Sequence, residues 1–158
     1  MTTRTATFGA GCFWGVEELY RTLDGVEATC VGYMGGHIDN PTYQAVCTDT
    51  TGHAEVVQIA YNPHKVEYGD LVDIFFDNHN PTQLNMQGPD VGSQYRSVIF
   101  FDGEDQKAVA EEKLSKLKES GRFARPIVTV IEKAQTMWEA EEYHQQYLAK
   151  RGMTSCHI

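Results

Sequence analysis

The sequence lacks a long apolar run. Nothing in it approaches the roughly 20 residues that a helix needs to cross a bilayer, and its start, Met1-Thr2-Thr3-Arg4-Thr5, has no apolar stretch of the kind a secretory leader carries. A cytoplasmic protein without a membrane partner is expected. Positive charge is also scarce, with 13 Lys and Arg against 22 Asp and Glu and a formal net charge of −9. Affinity for a phosphate backbone comes largely from Lys and Arg that release counterions, so nucleic acid is not an expected partner. Among four cysteines and six histidines there is no Cys-x-x-Cys and no His-x-x-x-His pair. Neither a preformed zinc site nor a disulfide framework is therefore indicated, and no metal is expected. Repeats, low-complexity tracts and long linkers are absent as well. A chain of 158 residues can bury about 70% of its unfolded surface, enough for a core without staples. One domain spanning residues 1–158 and a monomeric state are expected.

What is present is regular punctuation. Asn40-Pro41, Asn62-Pro63 and Asn80-Pro81 mark turns between patterned segments. A strand is predicted over Arg4–Phe8, broken by Gly9 and Gly11. A helix follows on the spacing Val16, Leu19, Tyr20, Leu23 and stops at Gly25. Strands are predicted at Val26–Tyr33 and Ala54–Tyr61, and a helix near Tyr68–Asn78. Then come a strand Tyr95–Phe101, a helix Asp105–Ser120, a strand Ile127–Glu132 and a last helix Trp138–Lys150. In Ala54–Tyr61 the period of two places Glu55, Val57, Ile59 and Tyr61 on one side. The first six elements run β-α-β-β-α-β, which predicts an α+β fold: a ferredoxin-like split βαβ sandwich with helices packed on a mainly antiparallel sheet. Beyond Gly152 a mobile tail is expected.

Cysteine chemistry is the first candidate. Cys12 stands between a glycine break and the first turn of a helix, where unpaired backbone N–H groups and the helix dipole favour an anion. Such a setting lowers a thiol pKa from its usual ~8.5 and creates a nucleophile. Phe13 and Trp14 supply an apolar wall beside the sulfur. Glu55, a carboxyl heading an apolar strand face, loses hydration there, which favours a protonated group able to act as a general acid. An ordinary surface glutamate is the alternative. Tyr43, Asp90 and Tyr95 lie in glycine- and proline-punctuated loops, where each is a packing residue unless the loops converge. Cys156, in the tail, is either an incidental exposed cysteine or a thiol with the freedom that resolving needs. Cys30 reads as a core residue of its strand, Cys47 has no assigned role, and Tyr143 and Tyr147 read as packing on one face of the last helix. The residues alone leave open a sulfur-directed reductase, a cysteine hydrolase with a histidine base, and a binding module.

A set of motifs narrows this choice: Gly11-Cys12-Phe13-Trp14-Gly15, Gly32-Tyr33-Met34-Gly35-Gly36, Asn40-Pro41-Thr42-Tyr43, Thr51-Gly52-His53-Ala54-Glu55, Gln87-Gly88-Pro89-Asp90, Gly92-Ser93-Gln94-Tyr95-Arg96-Ser97 and Tyr143-His144-Gln145-Gln146-Tyr147. In this order and over nearly the whole chain they resemble the A class of peptide-methionine sulfoxide reductases, enzymes that reverse methionine oxidation. The resemblance implies reduction of the S epimer of methionine sulfoxide, free or in proteins, with no organic cofactor. It implies Cys12 as nucleophile, Phe13 and Trp14 as the seat of the substrate methyl group, and Glu55 as the proton donor. Tyr43, Asp90 and Tyr95 match positions that bind the oxygen or an ordered water. Cys156 matches the resolving cysteine, whose disulfide with Cys12 thioredoxin, the external reductant, would reduce. Asn80 stands where the family usually has Asp, and a second tail cysteine found in longer relatives is missing.

Overall fold

The computed structural model describes residues 3–152. Its first strand β1 (Arg4–Ala10) runs into helix α1 (Phe13–Arg21), followed by β2 (Val26–Met34), the short helix α2 (Tyr43–Cys47), β3 (Ala54–Tyr61) and α3 (Tyr68–Asp77). A two-residue hairpin, β4 (Met86–Gln87) and β5 (Asp90–Val91), precedes a 3₁₀ turn at Ser93–Tyr95 and β6 (Ser97–Phe101). After α4 (Glu104–Glu119) come β7 (Val130–Lys133), β8 (Trp138–Glu139), a 3₁₀ turn at Glu142–His144 and α5 (Tyr147–Lys150). The six-stranded sheet has the order β7-β6-β1-β3-β2-β8. Every pairing is antiparallel except β6 with β7. The central order β6-β1-β3-β2, wound through α1 and α3, is the split βαβ arrangement expected from the sequence.

Alternation decides which side chains meet the helices. Phe8, Val31, Val57, Ile59 and Ile99 face α1 and α3 and join Tyr20, Leu71, Val72 and Phe75 in the main core. Phe8 stacks on Tyr20 and Phe75 with ring centroids 5.5 and 5.3 Å away, and the Tyr20 hydroxyl donates to the Leu71 carbonyl at 2.8 Å, tying α1 to α3. The opposite parity, Val56, Val98, Phe100 and Met34, forms a smaller cluster under Ala134 and Met137. Glu55 shares its parity with Val57 and so points toward α1. Close backbone approach accounts for Gly36, where a Cβ would lie 2.4 Å from both the His53 nitrogen and the Thr51 oxygen.

Several expectations are corrected. Trp138–Lys150 is not one helix. Trp138–Glu139 instead pairs with the β2 edge, and Gln146 takes a left-handed φ of 52° that breaks helical continuity. The Gln145 side chain accepts from the Val31 N–H and donates to the Val31 carbonyl, both at 2.9 Å, so it closes the free edge of β2 as a strand backbone would. Tyr143 is therefore 55% exposed instead of packed. Strand β6 begins at Ser97, because Ser93–Tyr95 coil into a turn, and β7 begins at Val130. Cys30 is half-buried, with its sulfur 3.5 Å from the Glu139 carboxylate. Helix α2 and the β4–β5 hairpin were not foreseen. Among the described residues no helix is long and apolar enough to cross a membrane.

Candidate active site

Cys12 occupies the N-cap of α1. Gly11 before it has φ +100°, and a Cβ there would press within 2.9 Å of Gln87, so only glycine turns the chain from β1 into the helix at this point. The next residue, Phe13, donates its backbone N–H to the Glu55 carboxylate at 3.2 Å. Strand β3 thus delivers a carboxyl group that is 2% exposed to the helix start that bears the half-buried sulfur. Burial works against ionisation of such a group, while the amide hydrogen bond works for it.

Two tyrosines converge on the same place. Burial, then the hydrogen bond with Cys47, then the charge of Glu55 push the Tyr43 hydroxyl well above its ordinary value. Burial, then Glu55, raise Tyr95, which also senses Cys47, Asp90 and Cys12. Both phenols therefore remain proton-bearing donors at any neutral pH. Asp90, on β5, borders with Cys12 a cavity of about 290 Å³. Phe13, fully buried, lies 6.4 Å from the Tyr43 ring and 5.7 Å from Tyr33. Trp14 stacks on Tyr147 at 3.7 Å and 5°. Cys12, Phe13, Trp14, Tyr43, Glu55, Asp90 and Tyr95 are thus neighbours, whereas Cys156 lies outside the described residues.

Some participants escaped the sequence reading. The buried His144 ring sits 4.3 Å from Tyr43 and 5.2 Å from Phe13. Trp14 donates its indole N–H to His144 Nδ1 at 2.9 Å, which leaves the ring proton on Nε2 of a neutral imidazole. Burial lowers this histidine's pKa, so the acceptor state persists at neutral pH. Glu141 accepts from the Tyr33 hydroxyl at 3.0 Å and from the Tyr43 N–H at 2.9 Å. Burial alone would raise Glu141, yet these bonds hold it below the usual carboxylate range. Cys47, at the end of α2, bonds to the Tyr43 hydroxyl, and burial raises its thiol. The missing signal was tertiary: the pairing of Trp138–Glu139 with β2 and the left-handed Gln146, which no local spacing announces, set where Glu141, His144 and Tyr147 stand. Among the described residues no cluster of three or more His, Cys, Asp or Glu could hold a metal ion.

A cysteine sulfur at a helix start, a buried carboxyl group bonded to the next backbone amide and an aromatic enclosure on a split βαβ sandwich are the parts of a thiol-dependent site. Comparison with known proteins specifies the class. A family model described as peptide methionine sulfoxide reductase matches residues 4–158. The curated peptide methionine sulfoxide reductase MsrA of Methanothermobacter thermautotrophicus is 60% identical over 153 residues, covering 97% of this chain and 90% of its own. Mxr1 from Saccharomyces cerevisiae in reduced form superposes with a TM-score of 0.86 at 39% identity, over 95% of this chain and 86% of that one. Mxr1 in complex with Trx2 matches with a TM-score of 0.63 at 30% identity, over 92% and 84%. The chain belongs to the peptide methionine sulfoxide reductase family.

Proposed function

We propose that this chain, an oxidoreductase that reduces methionine sulfoxide, acts on the S epimer, free and in proteins, by direct attack of Cys12 on the sulfoxide sulfur. Phe13 and Trp14 receive the methyl group, and Tyr43 and Tyr95 donate hydrogen bonds to the oxygen with Asp90 beside them. Glu55 gives its proton to that oxygen as the S–O bond to methionine breaks. The oxygen and that proton end on the Cys12 sulfur, so the thiolate is oxidised to a sulfenic acid while the sulfoxide is reduced to the thioether. Cys156 then attacks Cys12, expelling water and forming a disulfide that thioredoxin, the external reductant, reduces. The observation that carries this reading is the 3.2 Å bond between the Phe13 amide and a Glu55 carboxyl that is 2% exposed, since it sets an acid beside the nucleophile. The reading needs no organic cofactor or metal.

Mass spectrometry tests it. Sulfoxide added to the reduced protein should produce a Cys12–Cys156 disulfide, Cys12→Ser should be inert, and Cys156→Ser should complete about one turnover and then stall with thioredoxin. Repeated thioredoxin-driven turnover by Cys156→Ser would exclude its resolving role. An acyl adduct on Cys12 would indicate a hydrolase instead. Glu55→Gln keeps a hydrogen-bonding side chain but has no proton to transfer, so its single-turnover rate should fall by roughly 10²–10⁴. An unchanged rate removes Glu55 as the acid.

A further inference from the structure

The aromatic enclosure accounts for only one flank of Cys12. On the other flank the 290 Å³ cavity runs between α1, the end of α3 and the β4–β5 hairpin, and Cys12 forms part of its wall. Phe13, Trp14, Glu55, Tyr43 and Tyr95 are not among its lining residues. Val16 and Leu19 present an apolar side, Phe75 lies at the buried end, and Pro89 and Asp90 form the hairpin side. Among the described residues no Lys or Arg faces it, and Asn78, His79 and Gln87 are its uncharged polar lining. Leu84, before the hairpin, and Val91, on β5, are 67% and 71% exposed.

A sulfoxide sulfur carries three substituents. In the proposed reduction the methyl group goes to the Phe13 and Trp14 rings and the oxygen to Glu55 and the tyrosines. The third arm, the side-chain carbons that lead to the substrate backbone, must then leave past the remaining flank of Cys12. We propose that the cavity beside Cys12 is a subsite for an uncharged apolar side chain flanking the oxidised methionine in a polypeptide, so that the enzyme selects clients by a neighbouring residue as well as by the sulfoxide. The inference deepens the proposed reduction and rests on it. Continuity with the attacking sulfur fixes the occupant as part of the substrate, because anything held there lies against the reacting atom. A carboxylate side chain is disfavoured, since it would meet Asp90 with no cation to offset it.

The test uses the full chain with dithiothreitol as reductant and four probes: N-acetyl-methionine sulfoxide and three acetylated pentapeptides with central methionine sulfoxide flanked on both sides by Leu, Gly or Asp. The Leu peptide should exceed the Gly peptide about tenfold in kcat/KM, mainly through KM, with the Asp peptide below Gly. Val16→Asp and, at the exposed and uncrowded position 88, Gly88→Asp should each cut the Leu-to-Gly ratio at least about threefold. Equal use of all three peptides, or variants that lower every substrate by the same factor, would overturn the subsite while leaving the reduction standing. Failure to reduce even N-acetyl-methionine sulfoxide would overturn the reduction itself and the inference with it.

Discussion

Two side chains set the orientation of the Trp14 ring, which the proposed reduction places against the substrate methyl group. His144 is buried with its Nδ1 accepting from Trp14, and Tyr147 stacks on the far side of the indole. A ring held by one hydrogen bond and one stack has lost its rotational freedom before substrate arrives, which lowers the entropy cost of binding. His144→Leu keeps apolar volume but removes the acceptor. We expect KM for N-acetyl-methionine sulfoxide to rise about five- to tenfold with a smaller change in kcat, and tryptophan fluorescence to shift, because the Trp14 indole N–H is left without its protein partner. A lower kcat at unchanged KM would assign His144 to the chemistry instead.

Among the elements, the end of α3 shows how a helix terminus carries a pH signature. His79 donates from Nδ1 to the Phe75 carbonyl at 2.5 Å and meets Ser97 Oγ with Nε2 at 2.7 Å, while Ser97 bonds to Thr129. Burial pushes this imidazole down to about 4 from its ordinary value of about 6.5. The unfolded chain therefore binds a proton that the folded one refuses between those values. Stability is full above pH ~6.5 and declines as pH falls toward 4, a loss of about 2 kcal/mol at pH 5. Urea midpoints at pH 7 and pH 5 should show this, and His79→Gln should lack that share of the decline. The sequence made the regular elements legible. Val16, Leu19 and Tyr20 announced α1, and alternation in Ala54–Tyr61 placed Glu55 on the helix-facing side. Helix-like spacing misled at residues 138–150, because pairing with β2 and the left-handed Gln146 are decided by tertiary contact, to which local periodicity is blind. Cys30 misled for a related reason. Strand membership was legible, but its outward parity beside Glu139 was not, and burial first, then that carboxylate, push its thiol to about 12. Cys30 should therefore resist iodoacetamide at pH 8, where about one part in 10⁴ is thiolate, while remaining alkylatable once the chain is unfolded in urea.

On the scale of the whole molecule, the late segment is fastened back across the early one. Glu17, 1% exposed on α1, accepts from Thr29 Oγ1 at 2.7 Å and from the Gln146 backbone N–H at 2.6 Å, joining α1, β2 and the turn before α5. Glu17→Ala should leave these two donors unanswered and lower stability by about 2–4 kcal/mol in urea unfolding. Loss of activity should set in at lower urea than loss of sheet circular dichroism, since the segment it releases carries the Trp14 support while the central strands keep their ladder. The motif order that identified the family ran the length of the chain because the pocket itself is assembled from both ends.

That fastening has a consequence for the birth of the protein. Cys12 is translated well before Glu141 and His144, the carboxylate and imidazole that complete the aromatic enclosure, and these can still be inside the ribosomal tunnel while β1 to β6 assemble. Until those positions are translated and fold back, the sulfur of Cys12 stands without its finished surroundings.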